Sequence, residues 1–480
     1  MTVPPPGLAL PGGACYTPNA LGRFVPESRS LSLAADDRPL RHADEAKSKR
    51  SVAEAASGNV SRRSASKPRD GARVPPAPPA PEVEPSGVAP TRHSVDLGDR
   101  RLDPDAVKVV RRLLRHGYEA YVVGGGVRDL LLDRSPKDFD IATSARPDDV
   151  RTLFRNSRII GRRFRLVHVL FAGGKVIETA TFRRAPEANE REGEDLLIRN
   201  DNVFGDAHED AARRDFTINA LFYDVENREV IDWVGGMPHI EGRVVHTIGD
   251  PVVRFQEDPV RILRAIKFSA RLDLGITPDV YDAIVQCRGS LAMAARPRLF
   301  EELLRLLREG ASQRSFWLAW ETGVLDVLLP ELSAYLSDCE EDDGIVWRIL
   351  RELDHQTRER GGAFDDVVLW TLLLLEPMQE ITRGEKDRVE AASDFLEPII
   401  DRLNVPRRIA DAVRRIVAIY PRLESGRTGR FAKTPLFALA EEVYQIHRTA
   451  LGHARQEPTG APPADSSELG PKRRRRRRRR

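Results

Sequence analysis

The sequence predicts an α/β head followed by an all-helical neck and body, with disordered segments at both ends. Three observations lead to this fold class. Short runs rich in β-branched and aromatic residues alternate with helical segments between about residues 98 and 245. From about residue 246 the apolar residues recur with helical spacing. The two ends of the chain are rich in proline or arginine and carry little periodic apolar content.

Residues 1–97 are predicted to form a disordered leader. The first 95 residues contain 15 of the 34 prolines of the chain, together with many alanines, serines and arginines. Proline lacks an N–H donor and fixes φ, so such a segment cannot build a regular hydrogen-bonded core. A proline-motif ligand for a partner domain is the alternative interpretation.

The head, over residues 98–245, is predicted to hold a small mixed sheet flanked by helices. A helical stripe begins at Leu102 and runs to Leu114, and a second helix over 146–156 opens with Pro147, which is typical of a first helical turn. The expected strands are Tyr121–Val123, Phe139–Ile141, Val167–Phe171, Val176–Thr181, Ala220–Tyr223 and Val230–Val234.

The all-helical part divides into a neck over residues 246–310 and a body over 311–455. Leu299, Leu303 and Leu306 show the spacing of an amphipathic helix, and Val367–Leu375 is an apolar run of core-helix length. Residues 456–480 are predicted to be a disordered tail that ends in polyarginine.

Composition indicates a cytoplasmic protein without a transmembrane segment. The three cysteines are far apart and form no CxxC pair, which favours a reducing compartment, and no positively charged signal-peptide region opens the chain. The net charge of +3 hides an asymmetry, because residues 472–480 are nine consecutive basic residues whereas the remainder carries 67 Lys and Arg against 73 Asp and Glu. The basic character is therefore local to the tail.

The first chemical motif is a triple glycine, Gly124 to Gly126, followed by Arg128 and, ten residues later, by Asp138 and Asp140. Glycines after a strand let backbone N–H groups approach an anion, and an arginine adds a fork for phosphate oxygens. Two carboxylates at i and i+2 of a strand share one face and repel unless a cation neutralises them, and hard oxygen ligands suit Mg²⁺. A plain strand–turn–helix junction explains the glycines alone.

The second motif is Arg213-Arg214-Asp215, followed by Asn219. One interpretation is an amphipathic segment in which Phe216 and its apolar neighbours face the core while the charges are solvated. The functional alternative places Arg214 on a phosphate group, with Asp215 and Asn219 contacting a ribose hydroxyl or orienting a metal ligand.

The third motif begins at Glu257 and Asp258 and continues along a helix that carries a basic stripe of Arg261, Arg264, Lys267 and Arg271. Asp258 before a proline is a good helix N-cap, and this structural role is sufficient by itself. A basic stripe is usually solvated, although this one starts at a capped helix end near the expected phosphate site.

These three motifs, in this order, resemble the class II nucleotidyltransferase superfamily, which contains the tRNA CCA-adding enzymes and the bacterial poly(A) polymerases. The resemblance runs from about Tyr121 to Leu274. It implies that Asp138 and Asp140 bind Mg²⁺ in a two-ion mechanism, with Asp215 completing the catalytic set. Glu178 is a candidate additional carboxylate.

The same resemblance implies a nucleotide site and a route for RNA. The residues that would bind the triphosphate are Gly125, Arg128 and Arg214, and those that would read the incoming base are Asp258 and Arg261, with Arg264 alongside. The residues that would bind RNA are Arg162, Arg163, Lys267, Arg271 and, in the tail, Arg473.

Base reading by Asp258 and Arg261 limits the substrate to two nucleotides. Adenine and cytosine each offer an amino donor beside a ring acceptor, which an aspartate and an arginine complement, whereas uracil and guanine present the opposite pattern. The pair therefore predicts ATP or CTP and does not choose between them.

The segment Ile159–Val169 looks like the stretch that distinguishes bacterial poly(A) polymerases from CCA-adding enzymes. With the basic tail, it favours a template-independent polyadenylate polymerase that uses ATP on RNA 3′ ends, acts as a monomer and has the RNA-degradation machinery as a candidate partner. The alternatives are a CCA-adding enzyme and a non-catalytic RNA-binding scaffold. For the tail alone, ribosome or acidic-lipid adhesion, or no role, stays open.

Overall fold

The computed structural model describes residues 89–98, 101–161, 165–184, 203–338 and 344–454. Residues 1–88 of the expected leader and the whole expected tail lie outside this range. The described residues form an α/β head followed by a long helical part, as the sequence predicts.

The head alternates strands and helices in the expected order. Its elements are β1 (Thr91–Ser94), α1 (Pro104–Arg115), β2 (Ala120–Val123), α2 (Gly125–Leu131), β3 (Asp140–Thr143), α3 (Pro147–Leu153), β4 (Ser157–Ile160), β5 (Leu166–Leu170), β6 (Val176–Thr181), α4 (Ala207–Ala212), β7 (Phe222–Asp224), β8 (Glu229–Asp232), α5 (Gly236–Glu241) and β9 (Val244–Val245).

Eight strands build one mixed sheet in the order β1-β8-β7-β2-β3-β6-β5-β4. Only the central pair β3 and β6 is parallel, and the other neighbours are antiparallel. A mixed sheet was predicted, and all six expected strands are present within a few residues of their expected bounds. The parallel pair places β3, which begins at Asp140, at the middle of the sheet.

Strand β1 corrects the predicted boundary of the leader. Residues 91–94 pair with β8, Arg92 forms an ion pair with Glu229, and Leu97 is buried. Thr91–Ser94 contains no apolar residue, so hydropathy gives no sign of a strand. The unpaired backbone groups of an edge strand, here β8, are what recruit it. Strand β4 was likewise not predicted.

Helices dominate from residue 251 onwards. They are α6 (Pro251–Glu257), α7 (Val260–Leu272), α8 (Pro278–Cys287), α9 (Arg296–Arg308), α10 (Ser312–Glu321), α11 (Val324–Leu328), α12 (Pro330–Asp338), α13 (Ile345–Arg360), α14 (Asp366–Thr382), α15 (Arg388–Leu403), α16 (Arg407–Glu424) and α17 (Leu436–Ala450). Within the described residues after 250, the two-residue β10 (Gly275–Ile276) is the one strand, and it pairs with β9.

Helix α14 is the centre of the body. Its run Val367–Leu375 is completely buried, and Trp370 packs edge-on against Phe300 of α9 with ring centroids 5.1 Å apart. The run is therefore a core helix, as predicted. Among the helices in the described ranges, none is both long enough and apolar enough to cross a bilayer.

The two faces of the sheet have different coverings, and this difference positions the site. The larger core, which continues into the neck and body, includes Val122 and Ile141. A smaller apolar cluster lies on the opposite face and includes Val123 and Ala142. Because side chains alternate along a strand, Asp140 shares the face of the smaller cluster.

Candidate active site

The triple glycine forms a tight turn from β2 into α2. Gly124 has φ +70°, in the left-handed region that favours glycine, and its carbonyl accepts the first helical hydrogen bond from the Arg128 N–H at 3.1 Å. Helix α2 starts at Gly125, so unpaired N–H groups lie at this end of the turn. The turn is the backbone arrangement that the sequence predicts for an anion.

Gly126 is required by a close approach of two chain segments. A Cβ atom at this position would lie 3.3 Å from both the Asp138 carbonyl oxygen and the Phe139 ring. Only glycine lets the helix start pack directly against the segment that carries the two aspartates. The turn and the aspartates therefore form one unit.

Asp138 and Asp140 are both solvent-exposed, and Phe139 between them packs against the larger core. Asp140 opens β3, whereas Asp138 lies in the segment just before the strand. In the parallel register of β3 and β6, Asp140 is opposite Glu178, which is also exposed. The structure thus places Asp140 and Glu178 side by side on one sheet face, with Asp138 just before β3 and close enough to act on Asp140 electrostatically.

The row of side chains continues beyond Glu178 to a histidine. On β5, His168 pairs in register with Glu178, and its Nε2 lies 3.3 Å from Glu178 Oε1. Across three neighbouring strands, the order on one face is therefore Asp140, Glu178 and His168. The position of Glu178 supports the sequence-based choice of this residue as an additional carboxylate.

The electrostatics of this row disfavour charge on Asp140. Surrounding protein atoms desolvate the carboxyl and, with the negative charges of Glu178 and Asp138, raise the pKa of Asp140 to about 6, against a smaller opposing effect from Arg214. Asp140 is nevertheless exposed, so an ion from solvent can reach it. A cation would relieve the repulsion.

The donor set fits a hard divalent cation that shares its coordination with a substrate. No three His, Cys, Asp or Glu side chains are arranged as a complete ligand group anywhere in the described ranges. Mg²⁺ commonly binds one or two carboxylates and takes its other oxygens from phosphates and water, rather than from an all-protein cage. Asp138 and Asp140, crowded and negatively charged, match that pattern.

Arg214 packs onto the glycine turn. Its Nη1 donates to the Asn219 carbonyl at 3.1 Å and lies 3.0 Å from the position that a Cβ on Gly124 would occupy. Asp210 accepts from Arg214 Nη2 at 2.8 Å, and although burial favours the neutral acid, Arg214 and Arg213 hold the pKa of Asp210 below its usual value. Asp210, which sequence reasoning missed, thus fixes Arg214 at the turn.

Asp215 is held away from the aspartate pair. Its Oδ2 accepts from Arg264 Nε at 2.7 Å, and its Oδ1 accepts from the Phe216 N–H at 2.9 Å and from Asn219 at 3.0 Å. Burial alone would raise the pKa of Asp215, but the Arg264 guanidinium and these hydrogen bonds hold it at about 2. The geometry therefore makes Asp215 the partner of Arg264 and gives it no contact with Asp138 or Asp140.

Arg128 is buried inside a chain of hydrogen bonds. Its guanidinium donates to Asp129 Oδ1 at 2.8 Å and to Asn219 Oδ1 at 2.6 Å, and only 3% of the residue is exposed. Because Asn219 also bonds Asp215, the chain is continuous from Arg264 to Asp129. In this structure Arg128 braces the head against α7, rather than presenting a free fork to phosphate as predicted.

Asp258 and Arg261 lie at the junction of α6 and α7, each with a protein partner. Asp258 accepts from both terminal nitrogens of Arg298, at 3.2 and 2.9 Å, and from the Val260 N–H at 3.3 Å, close to the predicted N-cap role. Arg261 is buried and donates to Glu257 Oε2 at 3.1 Å. The Arg298 side chain is long and 57% exposed, whereas the Asp258 side chain is 23% exposed.

The basic stripe of α7 is largely buried or paired with carboxylates, rather than forming a solvated surface. Lys267 is 5% exposed and its Nζ donates to Glu302 of α9 at 2.9 Å. Arg271 contacts Asp129 at 3.4 Å and Glu309 at 3.4 Å. RNA contact through Lys267 does not fit this structure, because its charge is buried and paired. The stripe's carboxylate partners were not anticipated: Glu302 lies on α9, and Glu309 directly follows that helix.

The remaining predicted RNA contacts lie outside the described residues. Arg162, Arg163 and Arg473 are all in this group.

The mixed sheet, with a carboxylate pair beside a glycine turn, is the arrangement that the resemblance to nucleotidyltransferases implies. The Poly A polymerase head domain model matches residues 120–246, and the model described as the probable RNA and SrmB-binding site of polymerase A matches residues 273–336. The poly(A) polymerase I of Salmonella typhimurium is 37% identical over 374 residues, covering 74% of this chain and 80% of that protein. The chain therefore belongs to the tRNA nucleotidyltransferase/poly(A) polymerase family and is an enzyme of the nucleotidyltransferase class.

CCA-adding enzymes are similar over a shorter length. The enzyme of a Geobacillus species is 38% identical over 247 residues, which is 51% of this chain and 59% of that protein. Among solved structures, the Bacillus stearothermophilus CCA-adding enzyme in complex with CTP has a TM-score of 0.53 and 28% identity, covering 75% of this chain and 80% of that one. The expected fold class and family are thereby confirmed.

Replacing Gly126 by alanine is expected to lower kcat about tenfold with little effect on unfolding temperature. The new methyl group would press on the Asp138 carbonyl and the Phe139 ring, and a shift of a few tenths of an ångström in the aspartate segment misplaces the reacting groups. Gly289→Ala is the matched control, because its Cβ would meet open space. Equal kcat values for Gly126→Ala and Gly289→Ala would contradict the role of this close contact.

Proposed function

We propose that this enzyme is a template-independent polynucleotide adenylyltransferase that adds AMP from ATP to RNA 3′ ends. The observation that carries the proposal is the exposed Asp138, Asp140 and Glu178 group beside the glycine turn, in a chain similar to a poly(A) polymerase I over 80% of that protein. Bound Mg²⁺ would lower the pKa of the attacking hydroxyl and neutralise phosphate charge.

The residues of the chain hold and align the reactants in this proposal. Asp138 and Asp140 supply oxygens for the metal, and Glu178 adds negative charge that favours cation binding. The N–H groups at the start of α2 and the guanidinium of Arg214 meet the triphosphate at Gly124. The RNA 3′-oxygen then bonds the α-phosphorus as the bond to pyrophosphate breaks, with positioning and charge neutralisation supplying the rate.

In this proposal Asp258 reads the incoming base, and its ion pair with Arg298 covers the carboxylate beforehand. The Asp258 carboxylate is the acceptor that an adenine or cytosine amino group requires, and Arg298 occupies it in this structure. We infer that the exposed Arg298 side chain moves off Asp258 when a base enters, while the hydrogen bond to Glu257 keeps Arg261 in place. Arg264, on the same helix as Arg261, is kept in place by its hydrogen bond to Asp215.

Two features support ATP and an RNA tail over CCA addition. The similarity to poly(A) polymerase I extends across most of that protein, whereas the similarity to the Geobacillus CCA-adding enzyme covers little more than half of it. The segment 159–169 resembles the poly(A) polymerase stretch and leads into β5, which ends the carboxylate row at His168.

We expect the purified full-length chain, with Mg²⁺ and a short unstructured RNA, to add long tails when ATP is the sole nucleotide supplied. CTP would be accepted weakly, because its amino and ring-acceptor pattern resembles that of adenine, and UTP and GTP would be excluded. Product lengths on a sequencing gel measure this. The Asp138→Ala protein is the control for contaminating activity.

Two results would redirect the proposal. Addition of C and A only to a tRNA that lacks its end would favour a CCA-adding enzyme, for which the CTP complex of the Bacillus stearothermophilus relative is the supporting comparison. RNA binding without Mg²⁺-dependent pyrophosphate release from any nucleotide would favour a non-catalytic scaffold. Cytoplasmic location, a monomeric state and association with the RNA-degradation machinery stay predictions from the sequence.

A further inference from the structure

A polar cleft of about 650 Å³ lies where head, neck and body meet, and its lining does not include the glycine turn. It is bordered by the segment between α2 and β3, the end of α7, the start of α10, and α13. Its lining holds six arginine and lysine residues and four carboxylates, and it contains no aromatic residue among those described. We refer to it as the junction cleft.

All four carboxylates of the junction cleft are already paired or bonded. Asp129 accepts from Arg128 and Arg271, Glu309 lies 3.4 Å from Arg271, and Asp273 pairs with Arg314. Asp354 accepts from the Ser312 N–H at 2.6 Å and the Gln313 N–H at 3.0 Å at the start of α10. None of the four forms an ion pair with Arg134, Lys137 or Arg358, although the charge of Arg358 lies close enough to Asp354 to favour its ionised form.

Three cations of the junction cleft form no direct ion pair with a carboxylate within the described part of the chain. Arg134 donates to the Arg271 carbonyl at 2.9 Å, and Arg358 donates to the Gly310 carbonyl at 2.7 Å. Lys137 is exposed and forms no ion pair there. These exposed side chains come from head and body and border one cleft, so their charge attracts an anion that spans both.

The position of Lys137 indicates which anion. Lys137 lines the cleft and directly precedes Asp138 in the chain, so the cleft and the carboxylates of the proposed reaction share the segment between α2 and β3. On the opposite side, Gly310 and Arg314 belong to the segment matched by the probable RNA-binding model. An RNA whose 3′ end lies at Asp138 can therefore place its preceding phosphates here.

We propose that the junction cleft binds the phosphodiester backbone of the RNA strand upstream of its 3′ end. This inference rests on the proposed function. Guanidinium groups suit phosphate oxygens, and the absence of aromatic side chains from the described lining means that bases do not stack there. The cleft therefore holds single-stranded RNA through charge, without regard to base sequence, as an enzyme that tails varied RNAs needs.

The test measures RNA binding without ATP, so that it is independent of the chemistry. The probe is a fluorescent single-stranded RNA of about 15 nucleotides, followed by anisotropy between about 50 and 300 mM salt. For Arg134→Gln with Arg358→Gln, the loss of two phosphate contacts should reduce the salt slope by about 1.4 and the affinity roughly tenfold at 0.15 M salt. Oligo(A) and oligo(U) should be affected alike.

Two controls separate charge from structure. Arg134→Lys with Arg358→Lys keeps the charge and loses the arginine-specific geometry to the two carbonyls, so it should bind RNA with a slope near that of the unaltered protein. Arg115→Gln removes an exposed arginine of α1 that donates only to a carbonyl, at 3.1 Å, and should change neither quantity. A salt slope unchanged by the glutamine pair, or lowered equally by the lysine pair, would overturn the proposal.

The outcome also distinguishes this inference from the proposed function. An unaltered protein that binds RNA through Arg134 and Arg358 but makes no tail with ATP would remove the adenylyltransferase proposal and keep the cleft as an RNA site. A protein that makes tails, with RNA affinity indifferent to both arginines, would do the reverse.

Discussion

Replacing Asp140 by asparagine is expected to reduce nucleotide incorporation at least about a thousandfold while making the metal-free protein more resistant to heat. Metal-ion catalysis supplies several kcal/mol of transition-state stabilisation, and about 4 kcal/mol corresponds to three orders of magnitude in rate. The gain in stability has a separate origin, because asparagine removes a charge that the neighbouring Glu178 and Asp138 repel.

The sign of the stability change follows from the raised pKa of Asp140. A carboxyl whose pKa is about 6 in the folded protein and 3.8 otherwise binds protons more tightly when folded. The folded state therefore loses stability as the pH rises from 3.8 through about 6, and the penalty is fully present at pH 7. Asparagine avoids it, so thermal unfolding at pH 7 without metal should occur at a higher temperature in Asp140→Asn.

Added Mg²⁺ provides the complementary measurement. It should raise the unfolding temperature of the unaltered protein and have little effect on Asp140→Asn. At limiting Mg²⁺, the rate of the unaltered protein should fall as the pH drops below about 6, because protons then compete with the metal for Asp140. Excess Mg²⁺ should shift that fall to lower pH.

Asp133→Asn is the matched control for the loss of one negative charge nearby. The Asp133 side chain is 91% exposed, makes one surface ion pair with Arg101, and adopts a left-handed backbone that asparagine also tolerates. It should retain activity and respond normally to Mg²⁺. Near-normal turnover in Asp140→Asn would remove Asp140 from the catalytic centre.

The fold was predictable wherever a pattern in the sequence reflects burial. The β-branched residues over 176–181 and the apolar run of α14 correspond to a strand and a core helix, because composition of this kind favours a pleated, buried segment or a buried helix. Strand β1 follows a different rule, since Thr91–Ser94 joins the sheet through backbone pairing with β8 and carries no apolar signal.

The candidate site was predictable where it depends on local geometry. Asp140 and Phe139 lie on opposite faces because neighbouring strand positions alternate, and Gly124 adopts a positive φ because the turn requires it. Whether the side chains of the basic stripe are exposed or buried depends instead on contacts with residues distant in the sequence. Lys267 is buried because Glu302, 35 residues further on, packs against it, and no periodicity within α7 reveals that partner.

Asp215 also pairs with a residue distant in the sequence, Arg264, and this pair stabilises the fold. Asp215→Ala is therefore expected to lower the free energy of unfolding by about 3–5 kcal/mol. The change leaves the guanidinium of Arg264 without its main partner in a half-buried position and frees the Asn219 amide. Chemical denaturation measures the loss. Activity should also fall, because Arg264 and Asn219 lose the contact that orients them beside the proposed base site and Arg128.

The pKa of Asp215 predicts the pH range in which its carboxylate stabilises the folded protein. The folded value of about 2 lies below the ordinary 3.8, so the stabilisation is present above pH 3.8 and disappears as the pH falls towards 2. A shift of that size corresponds to about 2 kcal/mol. The gap in stability between Asp215→Ala and the unaltered protein should therefore narrow in acid.

A second ion pair, in the helical body, tests whether the losses of stability and activity depend on where the ion pair lies or only on breaking an ion pair. Glu331 accepts from both terminal nitrogens of Arg402, at 3.0 and 2.8 Å, between two helices of the body. The two pairs are similarly exposed, but Asp215 also accepts hydrogen bonds from Asn219 and the Phe216 N–H. Glu331→Ala loses only the ion pair with Arg402, so it should cost less, about 1 kcal/mol, and leave activity unchanged. Adding Arg264→Met to Asp215→Ala should recover part of the stability, since no unpaired charge remains, but none of the activity. If the double variant regained turnover, Arg264 would have no part in binding the nucleotide, and the link from Asp215 through Asn219 to Arg128 would serve folding alone.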